Sequence, residues 1–202
     1  MLIISYLCGS IPTGYLLARY LKGIDLREVG SGNIGATNVT RVLGKKLGGV
    51  TLLGDALKGF APVLVARTMG LEETVLMGCA LMAFVGHCWS VFLGFEGGKG
   101  VATGLGVSLA LFPLAAVAAL GVWLAVFAIG RISSLSALIA AVLLPGMVFY
   151  LYHSPVFLVG TLIMVAILFV RHRENISRLL RGEEKGFKPA QGATDEESRG
   201  DN

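Results

Sequence analysis

Apolar residues along this chain run in long blocks separated by short, polar, glycine-rich breaks. The blocks are Met1–Leu21, Leu47–Ala66, Thr74–Phe95, Val101–Ile129, Ser133–Tyr152 and Pro155–Val170. About 20 apolar residues in a helix cross the hydrocarbon core of a bilayer. The pattern therefore predicts an all-α, polytopic integral membrane protein. Six spans would leave both termini on one side. The fourth block is too long for one span, and Pro113 interrupts it. Proline removes a helical hydrogen bond and clashes with the preceding turn, so we expect two helices, Val101–Phe112 and Leu114–Ile129. The first of these must be tilted, sit in thinned bilayer, or extend partly into a loop.

Seven helices also fit the charges. With the N-terminus outside, the breaks holding Lys22, Arg27, Arg41, Lys45 and Lys46, then Lys99, then Arg131, then the residues from Arg171 onward all face the cytoplasm. Arg67 alone faces out, beside Glu72 and Glu73, and positive charge favours the inner side. Asp55 and Lys58, three apart in the second helix, can pair. The first block has no basic start and no small-residue cleavage site, so it reads as a retained span rather than a signal peptide. Residues 1–181 form one transmembrane domain. The polar stretch 182–202 reads as a disordered or loosely attached cytoplasmic tail.

Composition sharpens this picture. Of 202 residues, 54% are hydrophobic and 15% charged, with 28 glycines, against about 25% charged residues in soluble domains. A soluble globular domain, a disordered chain and a disulfide scaffold are excluded. Cys8, Cys79 and Cys88 lie in or beside apolar stretches without CxxC spacing and read as buried free thiols. The net charge of +4 follows from membrane orientation and does not point to nucleic acid.

Three polar segments carry candidate chemistry, and all fall on the predicted cytoplasmic side. In the first, Val29–Lys46, Ser31 or Asn33 can cap a short helix from near Ile34. Asn33, Thr37 and Arg41 would then share a face, with Asn38 beside them. A helix N-terminus behind glycines offers N–H groups to an anion, and Arg41 adds a planar fork for phosphate or carboxylate. In the second, Gly97, Gly98 and Gly100 surround Lys99. This is not a P-loop, because Gly100 follows the lysine. His87, at the preceding helix end, is either a base or an ordinary hydrogen-bonded histidine. The third is split between Arg131–Ser136, where Ser133 or Ser134 can cap a helix, and Arg171–Arg178, where His172 and Asn175 face one way. Arg173, Arg178 and Arg181 read as membrane anchors. No His-x4-Asp, HExxH, GxSxG or EF-hand spacing occurs, and no acidic cluster suits a divalent metal. No metal or cofactor is expected.

These segments, Gly30-Ser-Gly-Asn-Ile-Gly-Ala-Thr-Asn38 with Arg41, Gly86-His87 with Gly97-Gly-Lys-Gly-Val-Ala-Thr103, and Ser134 with His172-Arg-Glu-Asn-Ile-Ser-Arg178, resemble the bacterial acyl-phosphate:glycerol-3-phosphate acyltransferase family (PlsY). The resemblance covers about Gly9 to Gly182. It implies a seven-helix enzyme of the bacterial inner membrane with a cytoplasmic site. It further implies transfer of a fatty acyl group from acyl phosphate to the sn-1 hydroxyl of glycerol 3-phosphate, the first step of phospholipid synthesis. Functional coupling to the enzyme that makes acyl phosphate follows from the same resemblance. Lys99, Gly97, Gly98, Gly100, His172 and Asn175 are the candidates for glycerol 3-phosphate. Ser31, Asn33, Thr37, Asn38, Arg41 and Ser134 are those for the acyl-phosphate head and catalysis. His87 is the first candidate base and His172 the second, unless a substrate phosphate takes the proton. The competing reading is a small transporter of phosphate esters, whose glycines and cations converge in the same way.

Overall fold

The computed structural model describes residues 1–184 and 186. They form ten α-helices, α1 Leu2–Ser10, α2 Thr13–Lys22, α3 Ala36–Leu43, α4 Lys45–Thr68, α5 Glu73–Cys88, α6 Val101–Leu111, α7 Pro113–Gly130, α8 Ser133–Tyr152, α9 Pro155–Arg171 and α10 Arg173–Leu180, with a 3-10 turn at Val91–Leu93. Three helices, α4, α7 and α8, are long and apolar enough to cross a membrane unaided. The pair α9 and α10 makes a fourth if counted as one span bent by 64°. Large apolar side chains such as Ile3, Leu114, Ile129 and Tyr150 face outward, as expected where lipid replaces water around the bundle.

Two boundaries depart from the pattern-based reading. The first apolar block is not one helix: it breaks at Ile11 and Pro12, where Ile11 is extended at φ −58° and ψ 114°. Proline disfavours the helical conformation of the residue before it. The carbonyl freed at Ile11 accepts a 2.6 Å hydrogen bond from Lys58 Nζ. Lys58 also pairs with Asp55 at 2.8 Å, and both side chains are buried. The second departure is at α3, which starts at Ala36 with Gly35 as its N-cap and no side-chain cap. Asn33 instead accepts from the Gly35 N–H at 2.8 Å, so it precedes the helix and does not share a face with Thr37 and Arg41. Likewise neither Ser133 nor Ser134 caps α8, whose N-cap is Ile132.

The break at Pro113 is where the sequence put it. The 11-residue α6 is about 16 Å long, half the hydrocarbon thickness, and the packing shows how it fits. Thr103, in its first turn, donates to the Asp55 carbonyl at 2.9 Å, ten residues or about 15 Å beyond the start of α4. At the far end Arg67 donates to the Ala110 carbonyl at 2.7 Å, satisfying a last-turn acceptor that α6 leaves open. The loop before α6 therefore dips into the bundle. Small residues let the backbones approach closely: a Cβ on Gly106 would lie 2.0 Å from the Ala56 carbonyl oxygen, and one on Gly9 2.0 Å from that of Ala83. Such contacts hold helices together where lipid is as apolar as the side chains. The main core joins Val63, Phe84, Val107, Phe112 and Val148, and Phe112 meets Tyr152 and Phe157 edge to face. Cys8, Cys79 and Cys88 are free, the last two buried.

Candidate functional site

The loop between α5 and α6 is stitched to α1 and α5. Tyr6 donates to the Trp89 carbonyl at 2.9 Å, and Ser90 to the Ser10 carbonyl at 2.6 Å. Gly98 N–H donates to the His87 carbonyl at 3.0 Å. Gly98 lies directly on the His87 ring, since a Cβ there would be 2.1 Å from Nε2. His87 is thus the floor of the glycine loop: it is buried, its Nδ1 has no hydrogen-bond partner among the described residues, and Asp55 Oδ1 is 3.8 Å away. Gly100 takes φ +83° to start α6, a left-handed conformation that glycine adopts at little cost.

Lys99 stands at the loop's apex, half-buried, and donates to Asn175 Oδ1 at 2.5 Å. An ammonium group has three donors, so two remain for a ligand. Burial lowers the lysine's pKa, and Arg178 acts in the same direction. Asn175 is in turn held by Glu184, which also accepts from Ser134 Oγ at 2.6 Å and from Arg178 Nε at 2.6 Å. Burial alone would raise the Glu184 carboxyl, but the hydrogen bonds from Ser134, Asn175 and Arg178 hold it below the usual carboxylate range. The second and third polar segments therefore meet in one network. Its organiser, Glu184, lies in the stretch that reads as tail in the sequence. A carboxylate there looks solvated in one dimension, and only the chain's return towards α8 and α10 reveals its partners. Residues 185 and 187–202 of the expected tail lie outside the described residues.

His172 sits in the bend between α9 and α10, beyond the apolar span. It is 2% exposed, and its Nδ1 is 2.9 Å from the Leu168 carbonyl. A carbonyl only accepts, so Nδ1 carries the proton and Nε2 of the neutral ring keeps a lone pair. Burial, opposed by the bond to Leu168 and aided by nearby Lys99, pushes its pKa down to about 4.

The first segment approaches from the other side. Thr37 Oγ1 lies 3.5 Å from Ser133 Oγ, which brings α3 to the start of α8. Asn38 is buried, and its amide is fully engaged. Its Oδ1 accepts from Ser31 N–H at 2.8 Å, and its Nδ2 donates to the Val29 and Leu26 carbonyls at 3.0 and 3.4 Å. It shapes the loop from beneath. The Ser31 N–H is so occupied and the Gly32 N–H is bonded to the Val29 carbonyl, so neither is free for an anion. In the first turn of α3 the Asn38 N–H is bonded to the Gly35 carbonyl at 3.0 Å, which leaves the amides of Ala36 and Thr37 open. The Ser31 side chain is exposed, and Arg41 is half-buried, with no ion pair among the described residues.

Between these segments lies a polar cavity of about 410 Å³, lined by Arg27, Gly32, Ile34, Leu93, Phe95, Glu96, Gly97 and Arg171. At its mouth Arg27 pairs with Asp25 at 2.7 Å and with Glu96 at 3.6 Å. Leu93 also borders an apolar groove of about 310 Å³ formed with Ile11, Pro12, Tyr15, Leu16 and Phe92. The arrangement offers cations and free amides to an anion, with an apolar slot alongside. No group of three or more His, Cys, Asp or Glu able to hold a metal occurs among the described residues.

Comparison with known proteins places this geometry. A family model described as glycerol-3-phosphate acyltransferase matches residues 1–182. The chain is 51% identical over 184 residues to the glycerol-3-phosphate acyltransferase of Trichlorobacter lovleyi, covering 91% of this chain and 94% of that one. It is 56% identical over 185 residues to that of Geobacter metallireducens, with the same coverage. It superposes on the crystal structure of PlsY (YgiH), an integral membrane glycerol 3-phosphate acyltransferase, in its glycerol 3-phosphate form. The TM-score is 0.88 and the identity 45%, covering 93% of this chain and 94% of that one. The lysophosphatidic acid form of PlsY gives a TM-score of 0.86 and 44% identity, covering 93% of each chain. With a family model spanning nine-tenths of its length and relatives at about half identity, the chain belongs to the glycerol-3-phosphate acyltransferase family.

Proposed function

We propose that the protein transfers the acyl group of an acyl phosphate to the sn-1 hydroxyl of glycerol 3-phosphate. The products are 1-acyl-glycerol 3-phosphate and inorganic phosphate, and the reaction takes place at the cytoplasmic face of a bacterial inner membrane. The observation that carries this reading is the convergence of Lys99, Asn175 and Ser134 from three elements. The glycerol 3-phosphate and lysophosphatidic acid forms of PlsY supply the ligand chemistry. Seven spans follow if α1 and α2 form one broken span and α4 to α9 one each. The N-terminus is then outside, with Lys45, Lys99, Arg131 and Arg171 on the positive, inner side.

Both substrates carry phosphate, and two unit charges 4 Å apart repel by about 4 kcal/mol at an effective dielectric near 20. In this reading Lys99 and the N-terminus of α6 hold the glycerol phosphate, with Asn175 and His172 beside it. Arg41, Thr37 and the amides of Ala36 and Thr37 at the start of α3 hold the acyl phosphate and the oxyanion formed at its carbonyl. Asn33, Asn38, Gly97, Gly98 and Gly100 shape these two cradles, with exposed Ser31 and buried Ser134 at their edges. The glycerol oxygen attacks the carbonyl carbon, and the bond from that carbon to the phosphate oxygen breaks. The hydroxyl proton ends on the departing phosphate. Neutral His172 offers Nε2 to orient the hydroxyl, whereas His87 acts through Gly98. The apolar groove beside Leu93 receives the start of the acyl chain.

The test is release of phosphate by purified protein, dependent on both acyl phosphate and glycerol 3-phosphate. The Lys99→Ala variant inserts and folds but loses transfer. Near-normal turnover by that variant removes Lys99 from the phosphate site. Uptake of glycerol 3-phosphate into proteoliposomes without phosphate release would identify a transporter instead.

A further inference from the structure

By its place in the sequence, Arg171 is one of the basic residues at the inner membrane face. Its geometry is different. It is the last residue of α9, half-buried, and its guanidinium forks onto two successive carbonyls of the glycine loop: Nε donates to Gly98 O at 3.0 Å and Nη2 to Gly97 O at 2.7 Å. The same guanidinium lies over the Trp89 ring, 5.5 Å from its centroid. Trp89 is itself tied to α1 through Tyr6. Each peptide unit is planar and trans, so its N–H points opposite its C=O. Holding the Gly98 carbonyl therefore sets the direction of the Lys99 N–H. Holding the Gly97 carbonyl sets that of the Gly98 N–H, whose other constraint is the His87 carbonyl. One turn further along, Asn175 grips the Lys99 side chain. The lysine is thus fixed through its backbone by Arg171 and through its ammonium group by Asn175, from either side of the bend at His172.

We infer that Arg171 is a positioning residue for the glycerol-phosphate site: it locks the Gly97–Lys99 backbone in the conformation that presents Lys99 to a phosphate. This rests on the reading of Lys99 as that phosphate's cation. A lysine at 171 cannot reproduce the role. Its ammonium group lacks the rigid planar fork that reaches two carbonyls at once, and it stacks less well on an aromatic face. Glycine has the largest freedom to lose on ordering, and Arg171 adds the ties to Gly97 O and Gly98 O that the Gly98–His87 bond does not supply.

The experiment uses the full chain in detergent or proteoliposomes, with Arg171→Lys and Arg171→Gln beside an exposed neighbour, Arg173→Lys, as control. Kinetics are measured with each substrate varied in turn, and thermal unfolding is followed for every variant. Both Arg171 variants should raise KM for glycerol 3-phosphate at least tenfold, with KM for the acyl donor within twofold and Tm within about 2 °C of the parent. Arg173→Lys should match the parent. In a Trp123→Phe background, which leaves Trp89 as the one tryptophan, either substitution at 171 should shift its emission. Parental kinetics in Arg171→Lys would overturn the inference and make Arg171 an anchor. So would equal losses in both KM values with a fallen Tm, which would make it a structural strut. Failure of the underlying site is seen separately, as an active Lys99→Ala variant.

Discussion

The contact between Gly98 and His87 gives a sharp test of how the site is built. An alanine Cβ at 98 would lie 2.1 Å from His87 Nε2 and 2.8 Å from Cε1, whereas ordinary contact begins at 3.4 Å. The Gly98→Ala substitution must therefore open the gap by about 1.3 Å, the difference between 3.4 and 2.1 Å. The imidazole has no easy retreat: it is 3% exposed and confined by the Asp55 and Lys58 pair behind it. Forcing an extra methyl into a packed site costs about 1–3 kcal/mol. The loop is the softer partner and takes up most of the shift, carrying Lys99 with it. A misplacement of about 1 Å in a catalytic constellation costs on the order of 100-fold in rate, so kcat/KM in the coupled phosphate-release assay should fall about that much. Gly121→Ala, where an added Cβ meets nothing within 4 Å, serves as control and should be neutral. The decisive comparison is the double variant His87→Ala/Gly98→Ala. If the ring is the obstacle, adding Gly98→Ala to His87→Ala should cost less than threefold. A full 100-fold loss in both backgrounds, or parental activity of Gly98→Ala alone, would refute the stacking argument.

Three further outcomes follow. Arg41→Lys should lose at least tenfold in kcat/KM, because an ammonium group cannot grip a phosphate bidentately; an unchanged rate makes Arg41 a membrane anchor. Lys58→Met leaves the buried Asp55 carboxylate unpaired and should destabilise the fold by about 3–5 kcal/mol, with much of that loss recovered in Asp55→Asn/Lys58→Met, as read by thermal unfolding in detergent. For His172, the folded pKa of about 4 lies below the unfolded value near 6.5, so the unfolded chain binds the extra proton. The stability contribution is complete above about pH 6.5 and is lost as pH falls towards 4, up to about 3 kcal/mol in all. Unfolding curves from pH 7 to 4.5 should show this slope in the parent and a shallower one in His172→Gln.

Much of the architecture was legible along the chain because its causes are local. Pro113 dictates a helix boundary by its own ring, and the spacing of Asp55 and Lys58 alone puts their side chains within reach. Where local rules fell short, a neighbour outside the local sequence overrode them. The apolar run Met1–Leu21 reads as one span because its composition is uniform. The break at Pro12 is stable because Lys58, 47 residues from Ile11, takes the carbonyl it frees. Ser133 and Ser134 have the composition of helix caps, yet their hydroxyls turn to Thr37 and Glu184 instead.

The membrane class, the gathering of cations into a few breaks, the three polar segments and, through their motifs, the family can all be read along the chain. This is because hydrophobic run length, proline geometry and motif spacing are properties of consecutive residues. Which polar groups are spent on holding the loops emerges from packing. Asn38 and His87 face inward beneath backbone, Asn175 is aimed at Lys99 by Glu184, and Arg171 leaves the membrane edge to fork onto Gly97 and Gly98. The reason is directional: a hydrogen bond requires a donor and an acceptor at about 3 Å in line, and for residues some 75 positions apart that alignment exists only once the helices have packed.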